Sequence, residues 1–173
     1  AQEAAKAGRP YALLLADVIV SIADEFEEVT QSYYVQRPVK HRGILVIGTD
    51  KGLCGALNSN LFRELSDVDS SAKFVSVGKR ATQYLSRTRR DLLADFALPD
   101  KPTFSDIRKI VEFLLRSYDE GRIDTIEVLF TSFINTLRQE PELIRLFPLN
   151  DLDAMTNKLH ERFGEPDHVA PKD

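Results

Sequence analysis

The residues with the clearest potential for chemistry lie in a glycine-rich loop over residues 48–55, which reads Gly-Thr-Asp-Lys-Gly-Leu-Cys-Gly. A phosphate-binding Walker loop places a lysine and then a hydroxyl residue directly after its last glycine. Here Lys51 precedes Gly52, and Gly55 is followed by Ala56. The dinucleotide fingerprint Gly-x-Gly-x-x-Gly is absent too, because the loop glycines are spaced four and then three residues apart. The spacing therefore favours a tight turn that lets a helix approach a strand closely, rather than a nucleotide site.

Cys54 is the candidate nucleophile in this loop and the single cysteine of the chain. A thiol at a helix N-terminus ionises more readily, and a neighbouring histidine would activate it further. The three histidines, His41, His160 and His168, lie outside the loop, and no Cys/His motif surrounds them. A small buried cysteine that packs the turn is the favoured interpretation, and a thiol-dependent α/β enzyme is the alternative.

The other charged residues show no spacing typical of a metal or nucleic-acid site. No two histidines stand four residues apart and no Asp-x-Asp-x-Asp-Gly loop occurs, so we expect no metal and no cofactor. A net charge of −4 argues against nucleic acid as the main partner. A cluster of basic residues could bind nucleic acid or an acidic protein surface, or it could be a solvated helix end. The lack of interleaved aromatic residues favours the solvated helix end. Its members are Lys79, Arg80, Arg87, Arg89 and Arg90.

The glycine-rich loop is predicted to join a buried strand to a helix. Residues 44–47 are apolar at every position, which is typical of a strand buried on both faces of a parallel sheet. After the loop, apolar residues recur at helical spacing. They are Leu57, Leu61, Phe62 and Leu65. The loop is therefore the connection of the first βα unit of an α/β domain.

Further strands and helices alternate along the rest of the chain. Thr103 is predicted to cap the longest of these helices and Gly121 to end it, and an edge strand is expected within residues 140–148. This order predicts an α/β fold, a three-layer sandwich in which a mostly parallel sheet is flanked by helices. The predicted strands cover residues 72–77, 91–96 and 125–134, and the predicted helices cover 79–87 and 104–118.

The N-terminal region predicts one long amphipathic helix over residues 10–34, which should end before Pro38. Its acidic residues lie mostly off the apolar stripe, so the pairs Asp24 with Glu25 and Glu27 with Glu28 are expected to be solvated. The stripe must be buried either against the sheet of the same domain or against another helix, and periodicity leaves both open. It consists of Tyr11, Leu15, Val18, Ile22, Phe26, Val29 and Tyr33.

Four segments carry motifs that occur together in one known family. Residues 50–62 read DKGLCGALNSNLF, residues 77–80 read VGKR, residues 100–104 read DKPTF, and residues 133–149 read FINTLRQEPELIRLFPL. In this order they resemble the gamma subunit of the rotary, or F-type, ATP synthase. The corresponding family features are the signature loop, the second strand with a basic pair, the start of the long middle helix, and a Gln-x-Pro and Leu-Leu-Pro-Leu segment.

The resemblance implies a division of the chain. Residues 1–36 would be the lower part of an N-terminal axle helix, residues 37–164 the α/β globular domain, and residues 165–173 a polar tail. In that family the N-terminal helix pairs antiparallel with a long C-terminal helix to form the rotor axle. No such C-terminal helix is present here and the chain starts without methionine, so we expect a fragment or a trimmed chain.

The resemblance also implies a mechanical function without catalytic residues. The family's subunit rotates inside alternating alpha and beta catalytic subunits and couples transmembrane ion flow to ATP synthesis or hydrolysis. Other expected partners are the epsilon subunit and the membrane c-ring, with no nucleic acid and no insertion into the membrane. The expected location is the cytoplasmic face of a bacterial plasma membrane. The cysteine-containing insertion of chloroplast relatives is missing, so no thiol switch is expected.

Within the loop, the resemblance assigns Lys51 to contact with an acidic loop of the catalytic hexamer, with Asp50 and Gly52 shaping the turn. An exposed base in a rigid turn is well placed to meet a carboxylate. Lys79 and Arg80 are further expected partner contacts. Two alternatives stay open: a stand-alone α/β module that binds a partner helix through the N-terminal stripe, and an α/β enzyme with its site at residues 49–57.

Overall fold

A computed structural model of the chain describes residues 13–26, 37–48, 55–99, 102–135 and 138–148. The first described element is helix α1, whose described residues are 13–22, and a 3-10 turn, Ala23–Glu25, follows it. The strands are β1, Gly43–Ile47; β2, Lys73–Val77; β3, Asp91–Phe96; β4, Ile126–Asn135; and β5, Arg138–Phe147. The remaining helices are α2, Gly55–Ser66; α3, Lys79–Arg87; and α4, Phe104–Asp119.

The strands form one five-stranded sheet in the order β3-β2-β1-β4-β5. The first four strands run parallel, because each helical crossover returns the chain to the same end of the sheet. The last strand pairs antiparallel with β4 across a short connection and forms one edge of the sheet. The predicted mostly parallel sheet flanked by helices is confirmed, and so is the expected edge strand.

Strand β1 occupies the centre of the sheet, and all five of its residues are buried. It pairs with β2 on one side, where Ile47 is opposite Val77, and with β4 on the other, where Ile44 is opposite Glu127. Its side chains alternate between two hydrophobic clusters, with Leu45 in the cluster under α1 and α4 and Val46 in the cluster under α2 and α3. Burial on both faces explains why the strand is apolar at every position.

Helix α4 has the cap that its sequence predicts. The Thr103 hydroxyl accepts a hydrogen bond from the backbone N–H of Asp106, and the Asp106 carboxylate accepts one from the backbone N–H of Thr103. This capping box satisfies N–H groups that have no partner within the helix. The helix ends at Asp119, and Gly121 follows with a φ of 77°, a conformation that favours glycine.

The prediction of one continuous helix over residues 10–34 is wrong at residues 23–26. Regular helix ends at Ile22, a 3-10 turn follows, and Phe26 is extended. Tertiary contacts account for the break: Phe26 packs against the core of the sheet domain, and Arg108 of α4 binds the Glu25 carboxylate. Glu25 is therefore ion-paired rather than simply solvated. Residues 11, 29 and 33 of the predicted stripe lie outside the described residues.

Helix α1 packs on its own sheet, which is one of the two arrangements that its periodicity allowed. Its buried side chains share one hydrophobic cluster with β1, β2, β4 and α4. Because these apolar side chains are buried in that cluster, α1 is part of the domain core rather than an attachment to it. The buried residues of this segment are Leu13, Leu15, Ala16, Val18, Ile19, Ile22 and Ala23. Within the described part of the chain, no helix has both the length and the apolar character needed to cross a membrane.

Ile19→Ala is expected to reduce the free energy of unfolding by about 2–4 kcal/mol, because Ile19 is fully buried and its truncation leaves a cavity. Urea denaturation followed by circular dichroism measures this change. Ser21→Ala is the matched control on the exposed side of α1 and should change stability by less than about 0.5 kcal/mol. Equal stability of the two variants would contradict the packing of α1 on the sheet.

Candidate functional site

The candidate site is the carboxyl edge of the parallel strands, where the glycine-rich loop begins. Gly48 follows β1, and its backbone N–H donates a hydrogen bond of 2.8 Å to the carbonyl oxygen of Val77, the last residue of β2. Gly78 in turn donates one of 3.2 Å to the carbonyl of Phe96 at the end of β3. These bonds align the ends of three strands. In open α/β sheets this edge is where ligands commonly bind.

Two glycines at this edge allow a close approach of loop and helix. A Cβ atom at Gly48 would lie 3.1 Å from the Cβ of Ala81 in α3, which leaves little space for a side chain. Gly78 has a φ of 99°, which L-residues with side chains rarely adopt. The start of α3 is fixed further by a 2.7 Å hydrogen bond between the hydroxyls of Ser76 and Thr82. The predicted role of glycine in close packing is thus seen at Gly48.

Lys79 and Arg80 are exposed in the first turn of α3, directly beside the start of the loop. The first turn of a helix carries a partial positive charge, and these two bases add to it, since the turn contains no acidic residue. Residues 50–52 of the predicted contact set, and Cys54, lie outside the described residues; the structure describes the loop's two ends, at Gly48 and Gly55.

The basic cluster expected from the sequence is divided between the two ends of α3. Lys79 and Arg80 lie at its start, whereas Arg87, Arg89 and Arg90 lie at its end, about 13 Å away along a nine-residue helix. Arg90 is structural, because its guanidinium donates to the carbonyl of Leu65 in the last turn of α2 and to those of Val68 and Asp69 just after the helix. Such carbonyls have no partner within a helix. The five bases therefore do not form one surface patch.

The opposite, amino edge of the sheet contains a charged network that the sequence did not suggest. The Asp124 carboxylate accepts hydrogen bonds of 2.9 Å from the backbone N–H groups of Lys40 and His41, and one of 3.0 Å from Arg37. Burial alone would raise the pKa of Asp124, but the two N–H donors and the Arg37 charge outweigh burial. The pKa of Asp124 is therefore lowered below its ordinary value of 3.8.

A second ion pair, between Arg42 and Glu127, lies at the same edge of the sheet. Arg42 binds the Glu127 carboxylate with both its Nε and Nη2 atoms, at 3.0 and 2.7 Å, and the Thr125 hydroxyl donates to the same carboxylate. The hydrogen bond to Glu127 raises the pKa of Arg42, against the opposing effect of burial. The only sequence signal for this network is that polar residues open the predicted strand 125–134 and bases flank the start of β1. Their pairing was not predictable from spacing.

His41 also lies at the amino edge, where its Nδ1 is 2.9 Å from the carbonyl oxygen of Ser71. The glycine-rich loop starts at the other end of β1, at Gly48, which is about 20 Å from His41 if the chain between them rises as an extended strand. His41 is therefore remote from the start of the loop that contains Cys54, the candidate nucleophile. Among the residues that the structure describes, no group of three or more His, Cys, Asp or Glu side chains is placed to hold a metal ion.

Comparison with known sequences identifies similar proteins over nearly the whole chain. A family model described as ATP synthase matches residues 1–170. The ATP synthase gamma chain of Opitutus terrae is 44% identical over 164 residues, which is 95% of this chain and 56% of that protein. The gamma chain of Methylacidiphilum infernorum is 35% identical over 167 residues, 93% of this chain and 57% of that protein. The chain thus spans a little over half the length of these relatives.

Solved structures provide an independent comparison of the fold. A chain of the rotor of the Euglena gracilis mitochondrial ATP synthase is 17% identical, with a TM-score of 0.52 over 85% of this chain and 56% of that one. A chain of the central stalk and c-ring of the Tetrahymena thermophila enzyme is 20% identical, with a TM-score of 0.54 over 88% of this chain and 66% of that one. At this level of identity the likeness concerns the fold alone.

Asp124→Asn is expected to destabilise the chain by about 2–3 kcal/mol at pH 7, because the charge that pairs with Arg37 is lost and an amide NH2, which cannot accept a hydrogen bond, replaces one of the two acceptor oxygens. The folded-state pKa of Asp124 is lowered, so its contribution is present above the ordinary value of 3.8 and disappears as the pH falls through the folded-state pKa. The stability difference from the parent chain should therefore narrow below about pH 4.

Urea denaturation at pH 7, 5 and 3 measures this difference. Asp95→Asn is the matched control, because Asp95 is exposed on the edge strand β3, and it should stay within about 0.5 kcal/mol of the parent chain at pH 7. A stability difference for Asp124→Asn that stayed constant from pH 7 to pH 3 would contradict the assigned role of the carboxylate.

Proposed function

This chain belongs to the family of ATP synthase gamma subunits, and we propose that it forms the globular domain of a central-stalk rotor subunit. The observation that carries the proposal is the match of the family model to residues 1–170. The mostly parallel five-stranded sheet, with its additional antiparallel edge strand, is consistent with it. In this function the subunit couples transmembrane ion flow to ATP synthesis or hydrolysis by rotating, and it contributes no catalytic residue.

We extend the partners of such a rotor to this chain on the strength of family membership. They are the alternating alpha and beta catalytic subunits, the epsilon subunit and the membrane c-ring. The two gamma-chain relatives come from bacteria, which supports a peripheral position on the cytoplasmic face of a bacterial plasma membrane. Torque would enter through the axle and leave through the face of the domain that meets the ring.

The carboxyl edge of the sheet is the proposed surface for contact with the catalytic hexamer. Lys51, in a turn shaped by Asp50 and Gly52, would meet an acidic loop, and Lys79 and Arg80 would extend the positive surface. The geometry that supports this is the alignment of Gly48 with the end of β2, which places the first turn of α3 next to the start of the loop. Charge complementarity across such a contact governs specificity and association more than affinity.

Affinity purification of the full-length subunit from its own cells, with mass spectrometry of the partners, tests the proposed function directly. Recovery of both kinds of catalytic subunit and of epsilon, with ATPase activity in the eluate, is the expected result. A monomer that brings down none of these subunits would contradict the rotor proposal and would direct attention to an interaction module or an enzyme site at residues 49–57.

Lys51→Glu in the full-length subunit is expected to reduce ATP-driven proton pumping by about tenfold, because a like charge would then face the acidic loop. The measurement is acidification of vesicles that contain the reconstituted complex. Arg116→Glu is the matched control, since Arg116 is exposed in the last turn of α4, at the end of the helix remote from the carboxyl edge, and it should leave pumping unchanged. Undiminished pumping by the Lys51→Glu complex would rule out the proposed contact.

A further inference from the structure

A cavity of about 420 Å³ lies at the C-terminal ends of α2 and α3. Its wall combines hydroxyl groups with two guanidinium groups, and no carboxylate of the described residues lines it. The charge of the lining is therefore wholly positive. The polar lining residues are Ser66, Ser70, Tyr84, Thr88, Arg89 and Arg90.

Arg89 occupies a backbone position that glycine favours. Its φ is 58°, and within the described part of the chain it is the one residue other than glycine with a positive φ. The backbone N–H of Arg89 donates to the carbonyl of Ser86 at 3.2 Å, and that of Arg90 donates to the carbonyl of Leu85 at 2.9 Å. This pair of bonds is the Schellman arrangement at the end of a helix, where the left-handed residue is usually glycine or asparagine. An arginine at such a position directs attention to what its side chain does.

The guanidinium of Arg89 is exposed and has no ion pair or hydrogen bond with the residues that the structure describes. Arg90 differs, because it donates to backbone carbonyls at the end of α2, yet its charge still lies in the cavity wall. Asp69 is close in sequence to the lining residues, but it is paired with Arg42 at 3.5 Å and accepts a hydrogen bond from the Ser71 hydroxyl. Asp69 is therefore engaged elsewhere, and the charge of Arg89 stays available to a ligand.

We propose that this cavity is a binding site for a phosphate group, held chiefly by the guanidinium of Arg89. The planar fork of a guanidinium binds two phosphate oxygens at once. The Ser70 hydroxyl, which also has no hydrogen bond with the described residues, supplies a further donor from another wall. Phosphate has enough acceptor oxygens to use donors on several walls, whereas a carboxylate has only its pair. Val68 and the Tyr84 ring add apolar surface that suits the organic part of a phosphate ester.

The test is a nuclear magnetic resonance titration of the isotope-labelled chain with inorganic phosphate and with phenyl phosphate, at constant pH and ionic strength. The expected result is a set of amide shifts centred on residues 66–70 and 88–90, with a dissociation constant of about 1 mM or lower for phenyl phosphate. Tighter binding of the ester would assign the site to an organic phosphate, and equal affinities would assign it to free phosphate. Benzoate carries a carboxylate on the same ring, and benzoate that binds as tightly as phenyl phosphate would overturn the phosphate assignment.

Arg89→Gly is expected to weaken binding by about tenfold or more, because the guanidinium is lost. Glycine fits the left-handed backbone, so this variant should keep or exceed the melting temperature of the parent chain, and weaker binding would not result from misfolding. Arg89→Lys keeps the charge without the fork and should bind with intermediate affinity. The matched control is Arg116→Ala, which removes an exposed guanidinium from α4 on the opposite face of the sheet and should bind like the parent.

Two results would overturn the inference. One is unchanged affinity of the Arg89→Gly variant, and the other is a set of shifts spread over the surface with no centre at the cavity. The titration involves no other subunit, so its outcome is independent of the proposed rotor function, and failure of one leaves the other standing.

Discussion

The fold depends on the carboxylate of Asp124, which joins two parts of the chain that are remote in sequence. It accepts hydrogen bonds from the backbone N–H groups of Lys40 and His41. The backbone N–H of Asp124 also donates to the carbonyl of His41, at 2.7 Å. These bonds place the start of β1 beside the start of β4. Gly43 completes the junction, because a Cβ there would lie 2.5 Å from the carbonyl oxygen of Thr125. The junction therefore fixes the central strand β1 against β4, in the register that pairs Ile44 with Glu127.

The two edges of the sheet use charge in different ways. At the amino edge the charges are partly or fully buried and paired, and they hold the strands and the preceding segment in place. At the carboxyl edge Lys79 and Arg80 are exposed beside the glycine-rich loop. The exposed end corresponds to the surface proposed above for contact with the catalytic hexamer.

Helix α1 has a consequence for how the domain relates to an axle. Its apolar residues belong to the same hydrophobic cluster as those of α4 and the sheet, so the segment cannot leave without exposing that face. A family subunit that carries torque needs its helical and globular parts to move as one body. Packing of apolar side chains supplies this rigidity, because protein interiors are close-packed and deform little.

Most of the fold was predictable from the sequence, because its signals are local. Strand β1 follows from an apolar run, the cap of α4 from Thr103 and Asp106, and the edge strand from its position after β4. The glycine-rich loop lies at the carboxyl edge of the sheet because it directly follows β1 in the sequence. The break after Ile22 was missed, because helical periodicity does not report that Phe26 and Glu25 have partners on the sheet domain.

The sequence by itself therefore determined the identity and order of the elements and, through its motifs, the family. Only the tertiary structure decided which charges are structural and which are exposed. Arg37 and Asp124 are 87 residues apart, and Arg42 and Glu127 are 85 apart. Their pairing depends on the strand order, which places β4 next to β1 although β2 and β3 lie between them in sequence. Local residue patterns do not predict the strand order, because the order results from the packing of the whole chain.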